Sequence, residues 1–284
     1  MKKYYMGAII GLAVFSLAAC GDSATPINET TAKSDLALEQ VFSNAMERQE
    51  SLQSVKANMT MEQEISAEDE EVQMTSSTNI EMSMTAKPLA LFVDGTISMT
   101  MANEEESFNM PISMYLTETD GLYMNDTMSS GWVKLPSDMY EELLAQMGAN
   151  ADPQEQLKRL ESFLEDFKFE QTDGEYILTL NAIGEKFNEM ILEQVSGSLG
   201  QQLGEEDYSA FDGIKLKDAK YIMTVDKETF DITKTVMDVI MTMDVEGVLA
   251  DVNVSSTMTY SNFNAVDTIT IPQDILNSAI DYDF

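Results

Sequence analysis

Histidine is missing altogether from the 284 residues, and cysteine occurs once, at position 20. The first absence removes the side chain that most often serves as general base near neutral pH and most often binds metals. The second excludes an intrachain disulfide, a thiolate metal cluster and a Cys–His pair. Positive charge is scarce as well. Sixteen lysines and arginines face 50 aspartates and glutamates, for a formal net charge of −34, and arginine occurs only at Arg48 and Arg159. Nucleic acid repels such a chain, as do anionic headgroups acting on its charge as a whole, so no nucleic-acid partner is expected. The carboxylates read as a solvating surface, with no D-x-[DN]-x-[DN]-G loop to gather calcium. Neither a nucleophile–base arrangement nor a metal cage is visible. The reading is therefore non-enzymatic, with no catalytic residue, metal ligand or cofactor assigned.

Long apolar runs are absent except for one, Met6 to Ala19, which follows Lys2 and Lys3. Its 14 residues fall short of the ~20 a spanning helix needs, and the pattern is that of a secretory leader, residues 1–19. It ends Leu17-Ala18-Ala19-Cys20-Gly21. This resembles the lipobox of bacterial lipoproteins. The resemblance implies cleavage after Ala19, a diacylglyceryl group on the Cys20 thiol and further acylation, palmitate included. Two acyl chains make a stable membrane anchor. Loss of Lys2 and Lys3 would leave the mature chain two charges more negative still. Residues 21–34, "GDSATPINETTAKS", show no apolar periodicity and read as a flexible tether.

Beyond the tether the chain is amphipathic in two periods. A helix is expected over about 35–53, capped by Ser34, with Leu38, Val41, Phe42, Ala45, Gln49 and Leu52 on one face. Then the period becomes two. Val55, Ala57, Met59, Met61 and Ile65 share a face, as do Ile80, Met82 and Met84. The same holds for Leu91, Val93, Ile97, Met99 and Met101, and for Phe108, Met110, Ile112, Met114 and Leu116. Asp94-Gly95 is either a kink in one long strand or a hairpin turn. Asp120-Gly121 signals a hairpin. Helices are expected at 138–147 after Ser137, at 152–166 behind the capping box Asp152-Pro153-Gln154-Glu155, and near 184–203. Two short strands flank Asp173-Gly174. Period two returns with Tyr221, Met223 and Val225, then Met237 to Val245, then Val252 to Tyr260. "TDG-x-Y" occurs at 119–123 and at 172–176, which reads as shared hairpin chemistry and not a true repeat.

Methionine is abundant, 22 residues, and it comes in Met-x-Met pairs whose sulfurs point to one face of a strand. Three readings compete. The pairs fill a core; or they line a pocket for variable apolar cargo, which unbranched polarizable side chains suit; or their soft thioethers hold Cu(I). The pocket residues would be Met59, Met61, Met82, Met84, Met99, Met101, Met110, Met114, Met241 and Met243.

Taken together, the lipobox, tether, amphipathic helix, long antiparallel meander and mid-chain helical block resemble the LolA/LppX/LprG-like lipoproteins. Within that group the chain looks most like the uncharacterised Gram-positive members. Tyr123-Met124 and Gly131-Trp132-Val133-Lys134 match their "Y-M…G-W-x-K" element. The resemblance covers roughly 35–272. It implies an α+β fold: a half-open antiparallel β-barrel, a curved sheet, covered by amphipathic helices. Residues 35–284 would form one domain, with helical lid inserts near 137–167 and 184–203. The implied role is an envelope lipoprotein, lipid-anchored on the extracytoplasmic face of the cell membrane, holding a lipid or other hydrophobic molecule in the methionine-lined interior. The arginine used by known carriers has no counterpart, since Arg48 and Arg159 both fall in expected helices. A Cu(I)-binding protein and a sensor or interaction module on a filled scaffold are the alternatives.

Overall fold

In the computed structural model of the chain, residues 23–67, 73–101, 107–126, 131–141, 160–161, 163–181, 215–245 and 248–282 are described. The leader, Cys20 and most of the expected lid, 142–159 and 184–203, lie outside them. Thirteen strands form one sheet. In chain order they are β1 Thr25–Pro26, β2 Ser54–Ala67, β3 Gln73–Ala86, β4 Leu89–Met101, β5 Phe108–Thr117, β6 Gly121–Asp126 and β7 Gly131–Lys134. There follow β8 Phe167–Gln171, β9 Glu175–Asn181, β10 Lys215–Asp226, β11 Ile232–Val245, β12 Val248–Ser261 and β13 Ile280–Asp281. Their spatial order is β1-β8-β9-β10-β11-β12-β2-β3-β4-β5-β6-β7-β13. The edge strands pair in parallel with their single neighbours, β1 with β8 and β13 with β7; every other pairing is antiparallel. The sheet is curved and unclosed, an α+β half-barrel of the kind the family resemblance implies, with few helices among the described residues.

Helix α1, Leu38–Ser51, lies on the inner face. Leu38, Val41, Phe42 and Ala45 are its buried residues, the i, i+3, i+4, i+7 stripe. Burying each of the three large ones contributes about 1.5–3 kcal/mol. The helix starts at Leu38, three residues later than expected, because Ser34 is engaged elsewhere. The Ala37 N–H donates instead to Gln40 Oε1 at 3.0 Å. At its other end Arg48 forms a bidentate pair with buried Asp231, Nε to Oδ1 at 2.6 Å and Nη2 to Oδ2 at 3.4 Å. A second buried cluster, around Leu91, Leu116, Leu122 and Val133, packs with Met139 and Tyr140 of a short helical segment at 137–141. Two rigid blocks therefore flank the middle of the sheet.

Gly95 settles one alternative left open by the sequence. β4 runs through it without a turn. A Cβ there would stand 2.2 Å from the Asn79 carbonyl oxygen and 2.8 Å from Ile80 Cα, the close backbone approach of a sharp bend in a half-barrel. The two "TDG-x-Y" stretches are both hairpin turns, but their registers, aligned on the glycine, differ by three. Gly121 pairs with Thr117, whereas Tyr176 pairs with Gln171. Tyr123 and Tyr176 consequently face opposite sides of the sheet.

The stretch expected to be a flexible tether is bound to the fold over residues 23–34. Ser23 bridges to Ala37, and β1 pairs with β8. Gln171, 2% exposed, is the hub. Its Nε2 donates to the carbonyls of Ala24 (2.6 Å) and Ser34 (3.1 Å). Its Oε1 accepts from the Ser34 N–H (2.8 Å) and from Lys227 Nζ (2.8 Å). Lys227 Nζ also donates to the Ala32 carbonyl at 2.7 Å, and the Tyr176 hydroxyl donates to Ser34 Oγ at 2.5 Å. Asp173 Oδ1 accepts from the N–H groups of Thr31 (2.6 Å) and Ala32 (2.9 Å). Those two backbone donors, Ala32 foremost, hold the Asp173 carboxyl below its ordinary range. A depressed carboxylate stabilises the fold above its unfolded pKa and loses that contribution as pH falls through the folded value. Protection of the Thr31 and Ala32 amides against exchange, relative to a free peptide, should therefore be constant above about pH 5 and should fade below about pH 4. Exchange there as fast as in a free peptide at pH 7 would refute the strap.

Candidate functional site

The register builds a continuous inner face. Ranks of directly opposed residues cross the sheet, and members of a rank point to the same side. One rank is Met241, Val252, Ile65, Met74 and Met101. The next is Val239, Val254, Gln63, Ser76, Met99 and Phe108, followed by Met237, Ser256, Met61, Thr78, Ile97 and Met110. Beyond these lie Met258, Met59, Ile80 and Gly95, then Tyr260, Ala57, Met82, Val93, Met114 and Met124, and last Met84 with Leu91 and Leu116. Met243 pairs with Ala250 on the same side. All ten methionines singled out in the sequence thus stand on one face of one sheet, the face that carries α1.

They differ in how tightly they are held. Met82, Met84 and Met114 pack against the Leu91–Leu116 cluster, and Met241 against the α1 cluster. Met59, Met61, Met99, Met101, Met110 and Met243 belong to neither. None of the ten is fully buried, and Met101 is 57% exposed. The fully buried methionine of this face is Met223, which sits in the α1 core. The open thioethers gather toward the end where β2, β4 and β11 finish. At the opposite end lie the short turns at 118–120 and 172–174 and the strap.

Sequence reasoning misses several residues of this face. Met74 lies beyond the strand expected at 78–85, and Met237 and Met258 fall in expected strands without being assigned to the site. A polar island is missed too. Gln63, Ser76, Thr78 and Ser256 occupy adjoining positions in the middle ranks, where they interrupt the apolar alternation. Ser76 and Thr78 are buried, and Ser76 Oγ lies 3.5 Å from Gln63 Oε1. Tyr221 and Tyr260 stand on the same face. Burial pushes both phenols up, Tyr260 adding to the effect at Tyr221, so both remain protonated donors through the neutral range. This set can surround apolar matter and offer a few neutral hydrogen-bonding groups. Among the described residues no three acidic or cysteine side chains gather as a metal site, and no helix is long and apolar enough to cross a membrane.

The outer face has its own apolar patch near β7. Phe92 stacks on Tyr115 at 4.5 Å, and Tyr115 meets Trp132 at 5.6 Å. A short helix, α2 Gln273–Ser278, lies over this patch, burying Ile275 beside Tyr123 and Ile271. Tyr123 and Trp132 of the "Y-M…G-W-x-K" element are therefore a seat for α2 and not part of the inner face.

The fold and the site define a class: an open α+β half-barrel on one antiparallel sheet, with a methionine-rich inner face. The chain belongs to the family of unknown function DUF6612, whose model matches residues 37–280. No curated protein matches it in sequence. Among solved structures it is similar to LprF from Mycobacterium bovis, at 12% identity and a TM-score of 0.37 over 83% of this chain and 96% of that one. It is similar also to a β-barrel-like protein of the domain of unknown function DUF1849 from Brucella abortus, at 8% identity and a TM-score of 0.22 over 73% and 98%. A DUF1329 family protein from Desulfovibrio piger gives 10% identity and a TM-score of 0.21 over 81% and 95%.

Proposed function

We propose that this protein is a non-enzymatic envelope lipoprotein, anchored through Cys20 on the extracytoplasmic face of the cell membrane. In this reading it holds a lipid or similar hydrophobic molecule against the inner face. One observation supports it above the others: ten methionines, eight of them in Met-x-Met pairs, share a face, and six of the ten are left outside the buried clusters. A core that needed only filling would favour Leu, Ile and Val with their firmer rotamers. Half-covered, unbranched thioethers instead suit cargo of variable shape. The Gln63–Ser76–Thr78 island would take the polar end of such a molecule. Native mass spectrometry of protein gently extracted from membranes should show a bound apolar species, displaced or lost when Met61 and Met99 are changed to Gln. A ligand-free spectrum across several mild extractions would sink the reading.

A second reading rests on one rank. Met74 lies directly opposite Met101, with Met99 two residues along the same strand. Directly opposed Cβ atoms stand about 4.5–5.5 Å apart, so three thioethers can converge on one soft ion. Anaerobic Cu(I) competition against a chromophoric chelator separates the two readings. Uptake abolished by Met74→Leu with Met101→Leu would favour copper; no uptake would leave the lipid reading in place.

A further inference from the structure

The outer face of the sheet changes character from one half to the other. Over the middle of β2, β3 and β4 it reads Asn58, Thr60, Glu62 and Glu64, then Ser77, Asn79 and Glu81, then Asp94, Thr96 and Ser98, polar throughout, with Ala90 and Phe92 only at the far end of β4. On β9, β10 and β11 the same side presents Ile177, Ile222, Val236 and Ile240, and Ile240 is 40% exposed. Lysines surround this aliphatic strip. Lys168, Lys220 and Lys234 all face outward and are exposed, and Lys217 projects from the bulge between Leu216 and Asp218. Acidic residues share the face. Glu170 pairs with Lys168 at 2.8 Å and Asp251 with Lys217 at 2.6 Å, while Asp238 lies opposite Lys220 and Asp218 opposite Ile240, so four carboxylates face the four lysines. The strip is thus close to electrically balanced in a molecule whose net charge is −34.

Its position matters more than its composition. β1 is the immediate neighbour of β8, and Ser23 is already bridged to Ala37. Only three peptide steps separate Cys20 from Ser23, a reach of at most about 11 Å. From β1 to β11 there are four strand spacings, about 19 Å. A lipid on Cys20 therefore enters the bilayer within a short distance of this strip, and the strap leaves no slack for the domain to swing away.

We infer that the outer face of β8–β11 lies on the surface of the membrane that holds the Cys20 lipid. The aliphatic side chains meet the headgroup–acyl boundary, and the lysines extend to phosphates around them. The inference rests on the lipid anchor proposed above. Repulsion of the acidic remainder from the bilayer then reinforces the orientation, because on the outer face this strip sets its carboxylates against an equal number of lysines, whereas the β2–β4 half does not. The inner face, on the other side of the sheet, is left facing away from the bilayer.

The test uses the full chain with its native lipid in mixed phosphatidylcholine–phosphatidylglycerol vesicles bearing brominated acyl chains. Once Cys20 is acylated, an added cysteine is the sole free thiol. A bimane label at Ile240→Cys should lose most of its emission to bromine quenching, while one at Glu81→Cys, on the polar half of the same face, should lose none. Changing Lys220 and Lys234 to Gln should restore emission at position 240. Equal emission at both positions, in protein that floats with the vesicles and has the mass of the diacylated form, would overturn the docking and leave the anchor standing. Protein that fails to float and shows an unmodified Cys20 would overturn the anchor and the docking with it.

Discussion

Gly95→Ala is expected to destabilise the fold by about 3 kcal/mol or more, although alanine and every larger residue are ordinarily better than glycine inside a strand. The intrinsic gain from replacing a strand glycine is at most about 1 kcal/mol. Against it stands an added Cβ placed 2.2 Å from the Asn79 carbonyl oxygen and 2.8 Å from Ile80 Cα. Both are backbone atoms of β3, paired to β4 over thirteen residues, so neither can rotate aside. Relief requires β3 and β4 to part at the bend, and with them the ranks that align Ile80 and Met82 with Val93 and Ile112. Chemical denaturation measures this directly. A midpoint equal to wild type would mean that the sheet does not bend at Gly95.

Gln171→Ala should have its largest effect on the strap. The buried amide makes two donations and accepts two more, to Ala24, Ser34 and Lys227. Three of the four tie the strap itself, and at about 1 kcal/mol net for each hydrogen bond their loss favours local opening by about 3 kcal/mol, a factor of ~100 in amide protection over residues 24–34. The global midpoint should move much less, because the freed strap can lift and rehydrate its carbonyls. Gln171→Glu divides the hub. It keeps an acceptor for Lys227 and the Ser34 N–H but cannot donate to the Ala24 and Ser34 carbonyls, so protection should fall to an intermediate level. Uniform loss of protection across β9–β12 in Gln171→Ala would show that the strap and the sheet open as one unit, contrary to this account.

The sheet is legible in the sequence because its two faces are chemically distinct. Met59 and Met61 alternate with Asn58, Thr60 and Glu62, and that alternation fixes which side turns inward whatever the neighbouring strand turns out to be. The same logic places all ten methionines correctly by face. It cannot say which are packed, since Met82 and Met61 look alike in sequence. Their difference comes from what lies across the sheet: Leu91, Leu116 and Tyr140 near one, Ser256 and Thr78 beside the other. The strap is illegible for a related reason. Residues 24–34 have no periodicity because they are held through their backbone N–H and C=O groups by Gln171, Asp173 and Lys227, far along the chain, and backbone groups leave no trace in composition. Ser34 looks like a helix cap because its hydroxyl is suited to that task, but Tyr176 and Gln171 claim it. α2 is only six residues long and escapes a reading by periodicity because its stability comes from the aromatic seat beneath it.

The strap has one more consequence, for cleavage by proteases. Lys33 is the sole basic residue between Cys20 and Arg48, the obvious place for a trypsin-like enzyme to cut the domain free. Cleavage needs a segment that can be drawn out into the protease cleft. On one side of Lys33, Ala32 is fastened by Asp173 and Lys227; on the other, Ser34 is fastened by Gln171 and Tyr176. If the proposed Cys20 anchor holds, shaving of intact cells should therefore leave the protein in place, and shedding into the medium should await either acid or a break elsewhere in the chain.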